Sequence, residues 1–226
     1  MTVTTQPPTI LTGQLLHLVS VAMLLFLVWL AWVFMGHPPT TVFWIAVAIP
    51  VIHQVFVWLA WRLEFRSEAT SKTIGFQGYV LAFFLLFGSR FVSLFVLAWM
   101  DRGSLGLPLL LQAILTVAFT LPGLYAMYSV SRYFGLIRAA GADHFDPAYR
   151  DMPLVNKGIF QYTSNGMYVY AFLLFWAIAI GFNSLAALTI AAFSHAYIWV
   201  HYYATEKPDM DYLYAESSRG RTTESR

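Results

Sequence analysis

The chain has 226 residues, of which 59% are hydrophobic and only 11% are charged. Soluble domains carry about 25% charged residues, so this composition excludes a water-soluble globular protein. The 13 Lys and Arg against 11 Asp and Glu leave a net charge of +2, which is too small and too scattered to predict a nucleic-acid partner. The chain has no Cys, which excludes disulfides, thiolate nucleophiles and Cys-ligated metal centres.

Long uncharged runs in the first part of the chain predict transmembrane helices. The first charged residue is Arg62, and two apolar runs precede it, at residues 14–35 and 42–61, with helix breakers at 36–39 between them. Each run matches the roughly 20 residues that cross a bilayer core. A cleaved signal peptide does not fit, because no basic stretch precedes the first run and that run exceeds the usual ~7–15 residues. We expect two retained spanning helices joined by a tight turn.

The rest of the chain predicts four more spans. Residues 74–100 are apolar apart from Arg90 and form the third, and residues 107–128 form the fourth. Residues 158–205 carry no formal charge and are far too many for one crossing. We expect them to fold back at 181–184.

This reversal gives a fifth helix at residues 167–180 and a sixth at residues 185–203. The predicted fold class is therefore all-α, a polytopic membrane helix bundle with six transmembrane helices. Neither an internal repeat nor a second domain is evident in the sequence.

The Lys and Arg residues lie almost entirely on one side of this topology. With six spans the two ends share a side, and eleven Lys and Arg lie on it against one, Arg102, on the other. The positive-inside rule places the richer side in the cytoplasm, so we expect both termini to be cytoplasmic. The eleven residues are Arg62, Arg66, Lys72, Arg132, Arg138, Arg150, Lys157, Lys207, Arg219, Arg221 and Arg226.

Two polar stretches that this topology brings to the same membrane face form the candidate site. One is the long segment between the fourth and fifth helices, running to residue 168, and the other is residues 201–210 at the end of the sixth helix. Here the chain reads Gly-Ile-Phe-Gln-Tyr at 158–162, Ser-Asn-Gly-Met-Tyr at 164–168 and Glu-Lys-Pro at 206–208.

These motifs resemble the integral-membrane methyltransferases that act on phosphatidylethanolamine and on isoprenylcysteine carboxylates. That family has a Gly-x-Tyr/Phe-x-Tyr stretch, then an Arg-His-Pro or Asn-Pro element followed by x-Tyr, a helical hairpin, and a Glu-Glu or Glu-x-Pro element. The chain departs from the pattern at Gly166, where Pro is usual, and at Lys207, which replaces the second Glu.

The resemblance implies a division of the chain into three parts. Residues 76–214 would form a four-helix methyltransferase core. Residues 1–75 would add two N-terminal transmembrane helices and a cytoplasmic loop. Residues 215–226 are polar and are expected to be a disordered tail.

The resemblance also implies a cytosol-facing S-adenosylmethionine pocket, with the acceptor arriving laterally from the lipid. Aromatic faces attract a sulfonium, glycines allow close backbone approach, and a carboxylate at the edge of an apolar helix needs a partner such as the cofactor's ammonium. The predicted cofactor-binding residues are Leu154, Val155, Gly158, Phe160, Tyr162, Asn165, Gly166, Met167, Tyr168, Tyr202 and Glu206.

An amine acceptor must also lose a proton before its nitrogen can attack, so a base is needed. Glu206 and His201 are the first candidates for this base, and His144 is the next candidate. No metal is expected, because His195, His201 and Glu206 do not have the spacing of a helical metal triad.

Several of these features have purely structural interpretations. Tyr and Trp near helix ends are commonly interfacial anchors, and glycines in membrane helices commonly serve packing. Arg138, Asp143 and His144 could simply solvate a loop. Arg90, about two-thirds of the way through the third helix, could bind a lipid phosphate, but it lies deep relative to a cytoplasmic active site. It is therefore expected to pair within the bundle or to extend to the membrane surface and is left out of the site.

The sequence thus predicts a membrane methyltransferase that transfers a methyl group from S-adenosylmethionine to a lipid, with the amino headgroup of phosphatidylethanolamine or its methylated forms favoured. Carboxyl or thiol methylation of a prenylated or small hydrophobic substrate is the alternative within this class. A sterol-reductase-like membrane oxidoreductase and a non-enzymatic bundle that only binds lipid or a partner protein are the alternatives outside it.

Overall fold

A computed structural model describes residues 7–36 and 38–214 of the chain. These residues are helical or irregular, with no strand among them, which confirms the all-α prediction for the described part. The predicted disordered tail at 215–226 lies outside the described residues.

The first half of the chain forms long helices over the predicted apolar runs. Helix α1 spans Gln14–Phe34 and α2 spans Thr40–Ser67; a short α3, Ala69–Thr73, leads into α4, Gly75–Met100, and α5 spans Leu109–Ser129.

Helix α2 extends past the predicted end at Trp61, because its polar last turns are packed under α3. The Thr70 hydroxyl donates to the carbonyl of Ala60 at 2.8 Å. The Ser71 hydroxyl and backbone N–H donate to the Glu64 carboxylate at 2.7 and 2.9 Å. These bonds satisfy polar groups that the sequence pattern assigned to a loop.

The second half contains short helices and π-helical turns. A π-helical turn, Val130–Phe134, prolongs α5 and is followed by α6, Leu136–Ala139, a 3-10 turn, Ala142–His144, and α7, Pro147–Arg150. After a 3-10 turn at Gly158–Gln161, a π-helical turn, Met167–Ala171, runs into α8, Leu173–Gly181. Helix α9, Leu185–His201, continues through a π-helical turn, Tyr202–Glu206, and stays helical to residue 214.

Four helical stretches in the described residues are long and apolar enough to cross a membrane. They are Gln14–Phe34, Thr40–Ser67, Gly75–Met100 and Leu109–Phe134. The helical stretch Met167–Gly181 is apolar but shorter. The sixfold crossing, which needs α8 and α9 as well, stays a prediction.

Helix α9 lies at the centre of the bundle. It packs against α1, α2, α4 and α8, while α2 pairs with α4 and α5 pairs with α8. Small side chains at Ala186, Ala187 and Ala191 are fully buried and allow the neighbouring helices to approach closely. The position of α9 explains why it carries buried polar groups such as Ser194 and His201.

At one end of the bundle, the connection that follows α4 and the connection that follows α8 are hydrogen-bonded to each other. The Asp101 carboxylate accepts hydrogen bonds from the Ser184 hydroxyl at 2.7 Å and from the Ala186 N–H at 3.0 Å. The Asn183 side chain accepts from the Leu107 N–H and donates to its carbonyl. The third and fifth connections therefore lie together, as the predicted topology requires.

The opposite end is closed by a buried ion pair between α2 and the helix that continues α9. Arg62 Nε lies 2.9 Å from Asp209 Oδ1, and neither side chain has exposed surface. Arg62 also donates to the carbonyl of Thr9 at 2.6 Å. A Cβ at Gly13 would lie 2.0 Å from the carbonyl oxygen of Ala204, so the start of α1 is also pressed against this end.

We expect Asp209→Asn to destabilise the protein by about 3–5 kcal/mol, because it leaves the Arg62 guanidinium buried without its countercharge. Lys72→Ala, which removes an exposed pair with Glu68, is the matched control and should stay within about 1 kcal/mol of wild type. Denaturation in mixed micelles followed by Trp fluorescence measures both. Equal stability of the two variants would contradict the prediction that the buried ion pair stabilises the fold.

Candidate functional site

A largely apolar cavity of about 100 Å³ lies inside the bundle, between α2, α4, α8 and α9 and the end of α5. Its wall is built mainly from aromatic and aliphatic side chains, six of them Phe from α4, from α8 or from the turn before α8. A few polar side chains interrupt this wall, namely His53, Gln54, Arg90, Tyr168, His201 and Glu206. An apolar cavity with a few convergent polar groups is the usual form of a small-molecule site.

Tyr168 and Glu206 meet at this wall from two distant stretches of sequence. The Tyr168 hydroxyl donates a hydrogen bond to the Glu206 carboxylate. Both residues lie in π-helical turns, Met167–Ala171 and Tyr202–Glu206, and such turns are frequent at functional sites. The stretch that enters the fifth predicted helix and the one that leaves the sixth therefore converge.

Aromatic rings surround this hydrogen bond. The Tyr168 ring meets Trp199 at 6.0 Å and Tyr202 at 5.8 Å between centroids, both edge to face. Of the predicted cofactor-binding residues, Met167, Tyr168 and Glu206 line the cavity, and the Tyr202 ring contacts that of Tyr168.

His201 lies five residues before Glu206 and faces the same cavity. It is 2% exposed, and its Nδ1 has no hydrogen-bond partner among the described residues. Its ring lies 5.6 Å from that of Trp61. One of the predicted bases thus lines the cavity with a ring nitrogen that has no partner among the described residues.

His144 occupies a different environment, behind Trp61 and outside the cavity lining. Its ring stacks on Trp61 at 3.9 Å between centroids. Its Nδ1 lies 3.2 Å from Asp143 Oδ1 and its Nε2 lies 3.4 Å from Asp209 Oδ2. Because both nitrogens are engaged, the geometry suits a positioning role better than the predicted role as a base.

The carboxylates around His144 control its protonation. Burial alone lowers the pKa of His144, but the hydrogen bonds and charges of Asp143 and Asp209 outweigh it, so that the pKa lies above the ordinary value. For Asp143, burial raises the pKa, but the contacts with His144 dominate and hold the pKa of this carboxyl below its ordinary value. The two groups stabilise each other's charged forms.

The structure does not bring the remaining predicted cofactor residues into the cavity. Leu154 is 87% and Tyr162 is 70% exposed, and no described hydrogen bond or ring contact joins Tyr162 to Glu206. The Phe160 ring stacks on Phe134 at 5.3 Å. Besides Tyr202, seven of the predicted residues lie outside the cavity lining: Leu154, Val155, Gly158, Phe160, Tyr162, Asn165 and Gly166.

Packing already accounts for the two glycines of the motif. A Cβ at Gly158, which has φ +61°, would lie 2.5 Å from the Ser129 hydroxyl oxygen, and a Cβ at Gly166 would lie 2.8 Å from the Ile159 side chain. The Ser129 hydroxyl also accepts a hydrogen bond from the Ile159 N–H at 3.0 Å. Their predicted contact with a cofactor stays a prediction.

Arg90 and His53 line the cavity, although no sequence pattern predicts this position. Arg90, which we expected to pair within the bundle or to reach the surface, stays inside the bundle, with its guanidinium over the rings of Phe172 and Phe175. It is 4% exposed, lines the cavity, and makes no ion pair in the described part of the chain. The signal that could have identified it is its position as the only charged residue between Lys72 and Asp101.

Part of the chain matches the model of a known protein family. Residues 111–217 match the model of the phospholipid methyltransferase family, which confirms the resemblance found in the sequence motifs. The matched segment begins in α5 and ends past α9, so α1, α2 and α4 lie outside it. Comparisons with curated proteins and with solved structures gave no significant match.

The contribution of His144 to stability should depend on pH. Because its folded pKa is raised from 6.5, the stabilisation is complete below about pH 6.5 and is lost as pH rises through the folded pKa. The difference in thermal stability between wild type and His144→Gln in detergent should therefore shrink from pH 6.5 upward. His195→Gln, which removes an acceptor for Trp176, is the control. A difference that stays constant or grows with pH would contradict this assignment.

Proposed function

Because residues 111–217 match the phospholipid methyltransferase family, we propose that this protein transfers a methyl group from S-adenosylmethionine to a lipid acceptor. The favoured acceptor is the amino headgroup of phosphatidylethanolamine or its methylated forms. The family match supports membrane phospholipid methylation in general, and it favours none of the carboxyl, thiol or sterol-reductase alternatives.

The single observation that carries the proposal is the Tyr168–Glu206 hydrogen bond on the wall of an apolar cavity. Methyl transfer to nitrogen is a displacement that needs alignment and exclusion of water more than covalent assistance. A cavity lined by Phe and aliphatic side chains excludes water. The carboxylate and the tyrosine provide fixed polar groups at one end of it.

The residues at this end fit a sulfonium cofactor. S-adenosylmethionine, when bound, supplies the methyl group on a positively charged sulfur. The Glu206 carboxylate can pair with a cationic or hydroxyl group, and the rings of Tyr168, Trp199 and Tyr202 offer faces and edges for a cation. The exposed residues Leu154 and Tyr162 lie at the same end of the bundle and would contact the cofactor from outside the cavity.

Hydrogen bonds hold the polar segment between α5 and α8 at this same end of the bundle. Arg138 donates to the carbonyl of Pro153 at 3.2 Å, and Arg150 Nε donates to the carbonyl of Asp143 at 2.7 Å. The Tyr214 hydroxyl reaches Asp143 at 3.4 Å. These bonds hold the predicted cofactor segment near the end of the helix that carries Glu206.

His201 is the group that we assign to accept the proton of an amine acceptor. Glu206 already accepts the Tyr168 hydroxyl, whereas His201 Nδ1 has no partner in the described residues. Both side chains line the cavity. A neutral imidazole nitrogen in this position can take a proton from an ammonium group before the nitrogen attacks.

A lateral groove offers a route for a lipid. It lies between α4 and the α6–α7 segment and includes Phe76, Leu81, Ile137 and Tyr149. It shares Phe84 with the wall of the cavity. We propose that the acceptor enters here from the bilayer.

We place the Glu206 end of the bundle at the cytoplasmic face, because the connections at that end carry an excess of Lys and Arg. The six-helix topology is part of the same proposal. It requires α8 with its preceding π-helical turn, and α9, to cross the membrane beside the four longer helices.

Glu206→Gln should abolish binding of S-adenosylhomocysteine, because the substitution removes the carboxylate charge while keeping the side-chain shape. Thermal stabilisation of the detergent-purified protein by this ligand measures the effect. Glu68→Gln, at an exposed position, is the control and should bind as wild type does. Wild-type affinity in Glu206→Gln would remove the central assignment.

Tyr168→Phe should lower kcat/KM by about tenfold to a hundredfold, the loss expected for one hydrogen bond to a charged group. Methylation of phosphatidylethanolamine in vesicles measures it. Tyr203→Phe, on an exposed ring, should leave the rate unchanged. A wild-type rate in Tyr168→Phe would show that the hydroxyl has no part in the reaction.

Expression in a host that lacks methylated phospholipids should produce mono-, di- or trimethylated phosphatidylethanolamine. Mass spectrometry of the extracted lipids measures it, with the Glu206→Gln variant as the inactive control. An unchanged lipid profile would favour the carboxyl or thiol acceptors instead.

A further inference from the structure

Arg90 presents a buried cation to the cavity without an acidic partner. The residue is 4% exposed, and its Nε and Nη2 have no hydrogen-bond partner among the described residues. Its guanidinium carbon lies 5.2 Å from the centroid of the Phe172 ring and 5.3 Å from that of Phe175. The rings hold the group in place but satisfy none of these donors.

His53 adds a second polar group to the same cavity wall. It is 2% exposed, and neither ring nitrogen has a hydrogen-bond partner in the described part of the chain. Its neighbours are aromatic, with the Phe83 ring at 4.8 Å and the Phe87 ring at 6.4 Å. Arg90 and His53 therefore both direct unsatisfied groups into an apolar space.

Such an arrangement is costly unless a ligand completes it. Buried polar groups are almost always hydrogen-bonded, and a charged side chain within a transmembrane helix marks a functional site by default. Guanidinium donors match the oxygens of phosphate and carboxylate groups. The missing partner is therefore an anion.

The position of Arg90 relative to Tyr168 indicates what kind of anion fits. Arg90 lies over Phe172, and Phe172 follows Tyr168 by four residues, about one helical turn or about 6 Å along the axis. The anion site and the Tyr168–Glu206 pair are thus separated by roughly one turn. This separation suits a headgroup in which a phosphate and an amine are joined by a two-carbon linker.

We propose that Arg90 and His53 bind the phosphodiester of the lipid acceptor and thereby hold its amino group beside Tyr168 and Glu206. The inference rests on the proposed function and specifies its acceptor site. Both residues lie outside the segment matched to the family, 111–217. Recognition of the acceptor then depends on α2 and α4, while the matched segment supplies Tyr168, His201 and Glu206.

The test uses the full chain in nanodiscs and measures kcat and KM for phosphatidylethanolamine at saturating cofactor. Arg90→Gln should raise KM by about tenfold or more, the loss expected from an unpaired hydrogen bond to a charged group. Arg90→Lys should recover part of the loss, and His53→Leu should act in the same direction. Stabilisation by S-adenosylhomocysteine should stay at the wild-type value in all three variants.

Arg102→Gln is the matched control. Its guanidinium also lies over an aromatic ring, Trp99 at 4.9 Å, but it is at the far end of α4 and exposed. KM should not change. An unchanged KM in Arg90→Gln, with wild-type activity present, would overturn the phosphodiester site and leave the proposed function standing.

A second measurement does not depend on any variant. Wild-type protein should be stabilised more by phosphatidylethanolamine than by an analogue in which an uncharged ether replaces the phosphodiester. Equal stabilisation would overturn the proposal, and stabilisation by a prenylated carboxylate lipid alone would assign Arg90 to a carboxylate instead. Absence of both cofactor binding and methylation in wild type would overturn the proposed function itself.

Discussion

The buried contact between Arg62 and Asp209 determines the geometry of the end of the bundle that carries the candidate site. Asp209 follows Glu206 by three residues, and its second carboxylate oxygen faces His144. One carboxylate therefore joins α2, the segment between α5 and α8, and the helix that continues α9. Because a buried carboxylate requires these partners, the chain has few ways to arrange this end, and the position of Glu206 follows from the pair.

The cavity beneath this cluster has polar groups at two levels within an apolar wall. Tyr168, His201 and Glu206 lie at the level of the π-helical turns, and Arg90 and His53 lie deeper. In an apolar environment each of these groups interacts more strongly than it would in water. A molecule that carries both an anionic and an amino group can satisfy both levels at once. Such a molecule would therefore bind in one orientation.

The two halves of the chain contribute different parts of this arrangement. The segment that matches the phospholipid methyltransferase family, residues 111–217, provides the tyrosine, the carboxylate and the histidine. Helices α2 and α4 provide the deeper polar groups and much of the aromatic wall. The start of α1 closes the same end, because Gly13 packs against the backbone of Ala204. Helices α2 and α4, which lie outside the match, thus line the candidate cavity.

The sequence by itself determined the apolar segments, the end of the chain where polar motifs gather, and the resemblance to the phospholipid methyltransferase family, because length, charge and motif spacing are local properties. It predicted Tyr168, His201 and Glu206 together, since the motif order required their convergence. It could not show that Arg90 and His53 line the cavity, or that His144 stacks on Trp61 outside the cavity lining. Helices that are apolar on every side have no amphipathic face to indicate which residues meet a neighbour. Only the packed bundle, through the rotation of each helix against α9, decided that Arg90 enters the cavity while His144 is held behind Trp61.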